Sequence, residues 1–443
     1  MNFLKTAKKR YTDFILKSLE KQIINNTEKY INKKHSAKTW TPGKDWVQYS
    51  GPYFDGKEYK AAVQSLLSEW LIFGKKSRKF ELEFAEHLGK DYGVLTNSGS
   101  SANLLMVSAL KSKKLRKLKR FNLKEGAKFI TPVVCFPTTI NPLIQSGFEP
   151  VFVDVTMPNL HIDLDQVEDL LKKDKKKEIK GIIFAHVLGN PPDMDRVMSI
   201  VKKYDLIFLE DSCDALGSTW KDEKLGSFGV LSTCSFFPAH HWGRACYCNS
   251  NKPGCVIDGT ACGMRFGSWF PEQKDIIFDH RYVFDEIGYN IKPLEMQACM
   301  GLEQLDKLED MHSKRKSNFK RLHSIMSKYD QYLDLPFALP EADVSWFGFL
   351  ITLKDSAKEH FSKNELVDHL EAAKIQTRSY FTGNALFHPA YVDEAKKYKD
   401  PRNDFPNATK STTDTFFMGV WPGMTDEQLD YIEESMYKFM KKH

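Results

Sequence analysis

The sequence predicts an α/β fold, with a mixed, mainly parallel sheet in a large domain and a smaller α/β domain at the C-terminus. Three observations predict it. Residues 129–154 alternate short apolar runs with a turn and a helix, which is the rhythm of parallel strands joined by helices. Residues 206–209 form an apolar run of strand length that ends in acidic residues. Residues 346–352 have strand composition, and 361–370 predict a helix with Ser362 as its N-cap.

The order of these patterns divides the chain into three predicted parts. Residues 1–50 predict a helical arm, because apolar residues from Phe14 to Ile24 recur at helical spacing and Pro42-Gly43 interrupts the chain that follows. Residues 51–310 predict the large domain, with a cysteine-rich loop at 242–265. Residues 311–443 predict the small C-terminal domain.

The composition, with 42% hydrophobic and 28% charged residues, is typical of a globular protein. No run of about 18 apolar residues predicts a membrane span, and the N-terminus lacks the apolar core of a secretory signal. The net charge is +6, but the lysine runs lack interleaved aromatic residues or a nucleic-acid motif, which favours solvated loops. We therefore expect a cytoplasmic protein with no nucleic-acid or membrane partner.

Two stretches carry the expected chemistry. Asp211 directly follows a predicted strand, so its carboxylate should lie in the crevice at the carboxyl end of the sheet, where such sheets bind ligands. Further along, Ser235 opens the turn Ser-Phe-Phe-Pro-Ala-His-His, which ends in His240 and His241. A phosphorylated pyridine cofactor needs a carboxylate at its ring nitrogen, a hydroxyl at its phosphate and a side chain that acts beside the ring.

With these residues the chain resembles the DegT/DnrJ/StrS sugar aminotransferase family, which implies the PLP-dependent transferase fold type I. His240 stands where ordinary members carry the lysine that binds the cofactor covalently, so the chain is most similar to the lysine-less branch, the sugar 3-dehydratases. Histidine has an unperturbed pKa of about 6.5 and can move a proton near neutrality. The resemblance implies that His240 is the catalytic residue, and His241 is the alternative.

The resemblance also implies a site for pyridoxamine 5′-phosphate or pyridoxal 5′-phosphate. Its phosphate would contact Ser98, Gly99 and Ser100, whose polar turn opens a predicted helix and exposes backbone N–H groups. Taken alone, that turn also suits an ordinary N-capped helix. The other implied contacts are Phe136 on the pyridine face, Asp211 at the ring nitrogen, Asp214 at the ring hydroxyl, Ser235 at the phosphate and Asn290 at the phosphate of the other subunit.

A group of cysteines points to a metal centre. Cys246, Cys248, Cys255 and Cys262 lie close together among glycine and proline residues, which favours metal ligands over isolated buried thiols. The number of thiolates alone would suggest zinc. The resemblance instead implies a 2Fe-2S cluster held by Cys213, Cys246, Cys248 and Cys262, with Cys255 as the alternative fourth ligand.

The iron–sulfur branch of the family implies the reaction and the partners. Its substrate would be a CDP-4-keto-6-deoxyhexose that loses its C3 hydroxyl during dideoxysugar biosynthesis for lipopolysaccharide O-antigen. An NAD(P)H-dependent flavin/iron–sulfur reductase would supply electrons, and Asn290 implies a homodimer. Arg378 is a candidate for the phosphates of the nucleotide sugar, and His280 for the sugar pocket. The sequence leaves open whether His186 supports a site residue through a hydrogen bond or belongs to the site itself.

The chain departs from this family after the predicted catalytic turn. Family members continue there with a glycine-rich stretch, a strand and a helix, whereas Trp242 follows His241 directly, about two dozen residues short. The missing strand should belong to the central sheet, and its loss would expose an edge. The alternatives are therefore a cluster-free nucleotide-sugar 3-dehydratase, an aminotransferase relative, or a family member that binds without turnover.

Overall fold

The computed structural model describes residues 2–236 and 288–443, which contain both helices and strands. The α-helices in these residues are α1 (Asn2–Ser36), α2 (Gly56–Leu67), α3 (Lys75–His87), α4 (Gly99–Ala109), α5 (Pro137–Gln145), α6 (Leu164–Lys173), α7 (Met194–Tyr204), α8 (Glu295–Leu305), α9 (Leu308–Met326), α10 (Lys363–Ala372), α11 (Val392–Ala395), α12 (Pro401–Asp404), α13 (Pro406–Asp414) and α14 (Asp426–Met440). The strands are β1 (Lys128–Pro132), β2 (Glu149–Val153), β3 (Val155–Thr156), β4 (His161–Ile162), β5 (Ile179–Ala185), β6 (Ile207–Asp211), β7 (Thr219–Trp220), β8 (Glu223–Lys224), β9 (Leu231–Thr233), β10 (Leu333–Asp334), β11 (Ala342–Asp343), β12 (Gly348–Leu353), β13 (Thr377–Ser379) and β14 (Thr415–Gly419).

The central sheet is parallel throughout its described part, with the strand order β2-β1-β5-β6-β9. Alternate residues of each strand face opposite helical layers. Ile183 and Leu209 pack with α4 and α5 in one core, while Ile182 and Phe208 pack with α6 and α7 in another. Because helices cover both faces of the sheet, the strand sequences are continuous runs of apolar residues. The parallel α/β sheet that the sequence predicts is confirmed.

Strand β9 forms the edge of the described part of this sheet. It pairs with β6 so that Thr233 lies beside Asp211, and the carboxyl ends of both strands meet at one side of the sheet. On the other side of β6, Ala185 of β5 is the partner of Asp211. The strand whose loss the sequence predicts would follow His241, outside the described residues, so that prediction stays untested.

A second sheet forms in the C-terminal part, with antiparallel strands in the order β10-β12-β14-β13. Its inner face carries Phe349 and Phe416, which pack against α9, α10 and α14. The strand predicted at 346–352 is β12, and the helix predicted at 361–370 is α10. Ser362 is its N-cap, as the sequence predicts, and forms a capping box with Glu365.

Hydrogen bonds connect the central sheet to the C-terminal sheet near the carboxyl end of β6. Strand β11 pairs with β7, the Phe347 amide donates to the Leu188 carbonyl at 2.8 Å, and the Ser345 amide donates to Oγ of Ser218 at 2.9 Å. Helix α9 crosses the predicted domain boundary at 310/311. The segment that leads into β12 therefore lies against the loop that follows Asp211.

Helix α1 confirms the predicted helix at the N-terminus, but only its second half is covered. Ile24 and Ile31 are buried, whereas Phe14, Leu16 and Leu19 are exposed. The helical spacing of apolar residues in the first half of α1 therefore predicts the helix but not a face that packs against the rest of the protein. Among the described helices, none combines the length and apolar character that crossing a bilayer requires.

Candidate functional site

The Asp211 carboxylate lies at the carboxyl end of β6 and is 3% exposed. Its Oδ2 atom accepts hydrogen bonds from Nδ2 of Asn103 at 2.7 Å and from Oγ1 of Thr139 at 2.8 Å. Its Oδ1 atom accepts the backbone N–H of Cys213 at 3.2 Å. A buried carboxylate is stable only when such donors replace water. Hydrogen-bond donors from α4, from α5 and from the loop after β6 therefore fix the Asp211 carboxylate in one position.

The N-terminus of α4 faces Ser235. Ser98 is the N-cap, and its Oγ accepts the backbone N–H of Ser101 at 3.1 Å. A Cβ atom placed on Gly99 would lie 2.8 Å from Oγ of Ser235 and 3.2 Å from Sγ of Cys213. Glycine permits this close approach without a collision, and the helix end offers N–H donors and a positive dipole. Gly99, Ser100 and Ser235 thus form a cradle of the kind that suits a phosphate.

A cavity of about 120 Å³ opens beside this cradle. Its wall includes Cys213, Asp214, Ser235, His312 and Arg315. Burial and the neighbouring Asp211 charge raise the pKa of Asp214 to about 8, against the opposing effect of Arg315. At neutral pH a protonated Asp214 carboxyl can therefore donate a hydrogen bond. Burial also lowers the pKa of His312 to about 4, so that its ring is neutral.

Phe136 presents an aromatic ring at the start of α5. It is the N-cap residue of that helix, is 46% exposed and makes an edge contact with Phe381 at 5.3 Å between ring centroids. Thr139, three residues later, donates to Asp211. The ring is therefore partly exposed and stands one helical turn from a contact to the buried acid.

Arg378 and Asn290, which are predicted to bind phosphate groups, lie on the surface in this structure. Arg378 lies exposed in β13, where its guanidinium stacks at 4.5 Å from the ring centroid of Tyr49 and donates to the Thr377 carbonyl. Asn290 is exposed in the segment before α8. The predictions for His240, His241, His280, Cys246, Cys248, Cys255 and Cys262 concern residues outside the described part of the chain.

The cysteines that are described form no disulfide, and within residues 2–236 and 288–443 no three His, Cys, Asp or Glu side chains group as a metal site. Cys213 lies beside Oγ1 of Thr233 at 3.9 Å and lines the cavity. Burial, with the Asp211 charge, raises the pKa of its thiol well above the ordinary value. Cys135 and Cys299 are buried.

The structure decides between the two roles left open for His186. Its Nε2 atom lies 2.9 Å from Oε1 of Glu210, and both side chains are fully buried. Glu210 also accepts the backbone N–H groups of Gly226 at 2.5 Å and Gly229 at 2.9 Å. Burial raises the pKa of Glu210, but these hydrogen bonds outweigh it and lower the pKa overall. His186 therefore acts through Glu210, the residue before Asp211, which in turn holds the loop that leads into β9.

Sequence reasoning missed the side chains that hold Asp211 and line the cavity. Asn103, Thr139 and Thr233 surround the carboxylate, and Arg315 lies beside Asp214. Asn103 carried a signal, because it is a polar residue within an otherwise apolar helical stretch. The two threonines and Arg315 carried none.

Comparison with protein families gives a match over residues 52–437 to the model described as the DegT/DnrJ/EryC1/StrS aminotransferase family. The lipopolysaccharide biosynthesis protein RfbH of Salmonella typhimurium is 37% identical over 447 residues, covering 95% of this chain and 98% of that protein. The dTDP-4-dehydro-2,6-dideoxy-D-glucose 3-dehydratase of Saccharopolyspora spinosa is 37% identical over 450 residues, covering 95% and 92%. Both alignments exceed the 443 residues of this chain and so contain gaps on its side.

A solved structure agrees with these relatives. The E. coli GDP-4-keto-6-deoxy-D-mannose-3-dehydratase with bound hydrated PLP superposes with a TM-score of 0.72 at 29% identity. The match covers 88% of this chain and 99% of that one. The predicted PLP-dependent transferase fold is therefore confirmed.

We expect Gly99→Ala to weaken the binding of pyridoxal 5′-phosphate at least about tenfold, which corresponds to about 1.4 kcal/mol. The new methyl group would occupy the space between α4 and Ser235. Fluorescence titration with the cofactor measures this affinity. Ser108→Ala, near the other end of the same helix, is the matched control, because its hydroxyl has no hydrogen-bond partner in the described part of the chain. Equal affinities for the two variants would contradict the cradle.

We expect Glu210→Gln to lower the free energy of unfolding by about 2 kcal/mol at pH 7, because it weakens three buried hydrogen bonds. The pKa of Glu210 is lowered in the folded state, so its contribution is present above the ordinary pKa of 4.5 and is lost as the pH falls further. Urea unfolding at pH 7 and in steps below pH 5 measures the difference. Glu341→Gln, at an exposed site, is the control; a wild-type-to-variant difference that stays constant with pH would contradict the prediction.

Proposed function

Because this chain belongs to the DegT/DnrJ/EryC1/StrS aminotransferase family, we propose that it removes the C3 hydroxyl of a nucleotide-linked 4-keto-6-deoxyhexose with pyridoxamine 5′-phosphate as cofactor. The observation that carries the proposal is the buried Asp211 carboxylate beside the Gly99–Ser235 cradle. One relative and one structural neighbour are by name 3-dehydratases of nucleotide-linked sugars. Their names support this reaction class.

The described residues fit the cofactor on structural grounds. The absence of a Cβ atom at Gly99 lets Ser235 approach the N-terminus of α4, whose N–H groups suit a phosphate. Ser98, Gly99, Ser100 and Ser235 would bind the phosphate, and Asp211 would bind the ring nitrogen. When bound, pyridoxamine phosphate supplies an amine for the sugar ketone and a ring that accepts electrons.

Other residues of the chain would orient the ring and move protons. Phe136 would lie on the ring face, and Asp214 would donate its proton to the ring hydroxyl, since its pKa of about 8 keeps the carboxyl protonated at neutral pH. His240 would accept and return a proton through its imidazole, as its place five residues after Ser235 indicates. With histidine at this position, the chain has no lysine there to hold the cofactor covalently.

The finer proposal concerns the substrate and a metal cluster. We propose a CDP-linked sugar, a 2Fe-2S cluster held by Cys213, Cys246, Cys248 and Cys262, and an NAD(P)H-dependent flavin/iron–sulfur reductase as electron donor. Cys213 lies on the cavity wall next to Asp214, and this position supports Cys213 as one of the four cluster ligands. Arg378 and His280 would bind the nucleotide sugar. A homodimer with Asn290 at the partner's phosphate, and the division at residues 50 and 310, belong to the same proposal.

A visible spectrum of the anaerobically purified protein, before and after dithionite, tests the cluster. We expect a red-brown protein that bleaches on reduction and contains about two irons per chain. Cys213→Ser should lose most of this iron, because it removes a thiolate ligand. Cys299→Ser is the matched control, since Cys299 is buried in α8 and is not one of the residues that line the cavity. A colourless wild-type protein that binds the cofactor would favour a cluster-free dehydratase instead.

We expect His240→Asn to reduce 3-dehydration at least about 100-fold, because general acid–base catalysis contributes on that order. Cofactor affinity should change little, since the cradle and Asp211 are untouched. Substrate turnover and cofactor titration measure the two effects. His241→Asn is the comparison, and a loss confined to that variant would move the catalytic role to His241.

A second function, binding without turnover, is favoured by one specific observation. Both alignments with the curated relatives require gaps in this chain, and Trp242 follows His241 directly. Wild-type protein that binds cofactor and nucleotide sugar but releases no product would support this function. An aminotransferase activity is disfavoured by the histidine at position 240.

A further inference from the structure

Asn103 makes two directional hydrogen bonds in the interior of α4. Its side chain is 1% exposed. Its Nδ2 donates to Oδ2 of Asp211 at 2.7 Å, and its Oδ1 accepts from Oγ1 of Thr233 at 2.6 Å. The amide therefore bridges the carboxyl ends of β6 and β9. Since one end donates and the other accepts, only one orientation of the amide satisfies both partners.

The same bonds distribute donors unequally over the two oxygens of Asp211. Oδ2 receives Asn103 and also Thr139, at 2.7 and 2.8 Å. Oδ1 receives the Cys213 amide at 3.2 Å, while Oγ1 of Thr233 stands 3.5 Å away. The Thr233 hydroxyl has a single proton, and its shorter contact is the one to Asn103. The Cys213 thiol also hydrogen-bonds to this carboxylate, and the two shortest bonds to it are both at Oδ2.

The position of Asn103 also links this carboxylate to the phosphate cradle. Ser98, Gly99 and Ser100 precede it by about one turn of the same helix, and Thr233 precedes Ser235 by two residues. One side chain thus connects the acid to both halves of the cradle. A ligand with a phosphate at one end and a basic ring nitrogen at the other would need the distance between these sites to be fixed.

We propose that Asn103 is a positioning residue for the ring nitrogen of the cofactor, which it serves by holding Asp211 at a set distance and orientation from the cradle. The proposal rests on the proposed function above. It assigns a functional role to a side chain that could otherwise serve only to pack α4 against the sheet. A packing role would lower stability alone, whereas a positioning role acts on the recognition of one atom of the ligand.

The test compares two ligands that differ in that atom. Binding of pyridoxamine 5′-phosphate and of its 1-deaza analogue, in which carbon replaces the ring nitrogen, is measured for the wild-type full chain and for Asn103→Leu. We expect the wild type to prefer the natural cofactor. The variant should lose about tenfold or more of its affinity for the natural cofactor, as expected for a hydrogen bond to a charged group, and little for the analogue.

A matched control separates this effect from general destabilisation. Asn318 is also a buried helical asparagine, whose Nδ2 donates to the Trp421 carbonyl at 2.9 Å in the C-terminal part. Asn318→Leu should lower the urea midpoint but keep the wild-type preference between the two ligands. If Asn103→Leu does not fold, Asn103→Ser replaces it, because a serine hydroxyl is too short to reach both partners.

The outcomes separate the two proposals. Equal losses for cofactor and analogue, or an unchanged preference in Asn103→Leu or Asn103→Ser, would overturn the positioning role while leaving the proposed function standing. Wild-type protein that binds neither ligand would overturn the proposed function and this inference with it. A preference lost in the Asn103 variants and kept in Asn318→Leu would support the assignment.

Discussion

The buried carboxylate of Asp211 is the constraint on which the site depends. An acidic side chain at 3% exposure needs hydrogen-bond partners in place of water, and the chain supplies them from separate elements. Asn103 lies in α4, Thr139 in α5 and the Cys213 amide in the loop after β6. The ends of these elements must therefore converge on the carboxyl edge of the sheet, and the cradle at Gly99 is formed by the same convergence.

Glu210 and Asp211, at the end of β6, have different roles because successive residues of a strand point to opposite sides of the sheet. Glu210 is directed toward the loop that leads to β9, where His186 and two backbone amides satisfy it. Asp211 is directed toward the site. The first acid holds the path of the chain into β9, and the position of β9 in turn places Thr233 and Ser235 beside the second acid.

The C-terminal part completes the cavity beside this edge. Its segment at Ser345 and Phe347 is bonded to the loops after β5 and β6, and Arg315 of α9 lies next to Asp214. The balance of burial and charge there leaves Asp214 able to hold a proton at neutral pH, unlike an exposed aspartate.

The sequence by itself determined the elements whose signals are local. The apolar run before Glu210 predicted β6, and Ser362 marked the start of α10. Only the tertiary structure decided what surrounds Asp211, because Asn103 and Thr139 are 108 and 72 positions away and meet it only through the order of strands in the sheet. It also decided that the apolar residues in the first half of α1 stay exposed. A periodic pattern specifies a helix, but whether a neighbour covers its apolar face depends on elements distant in the chain.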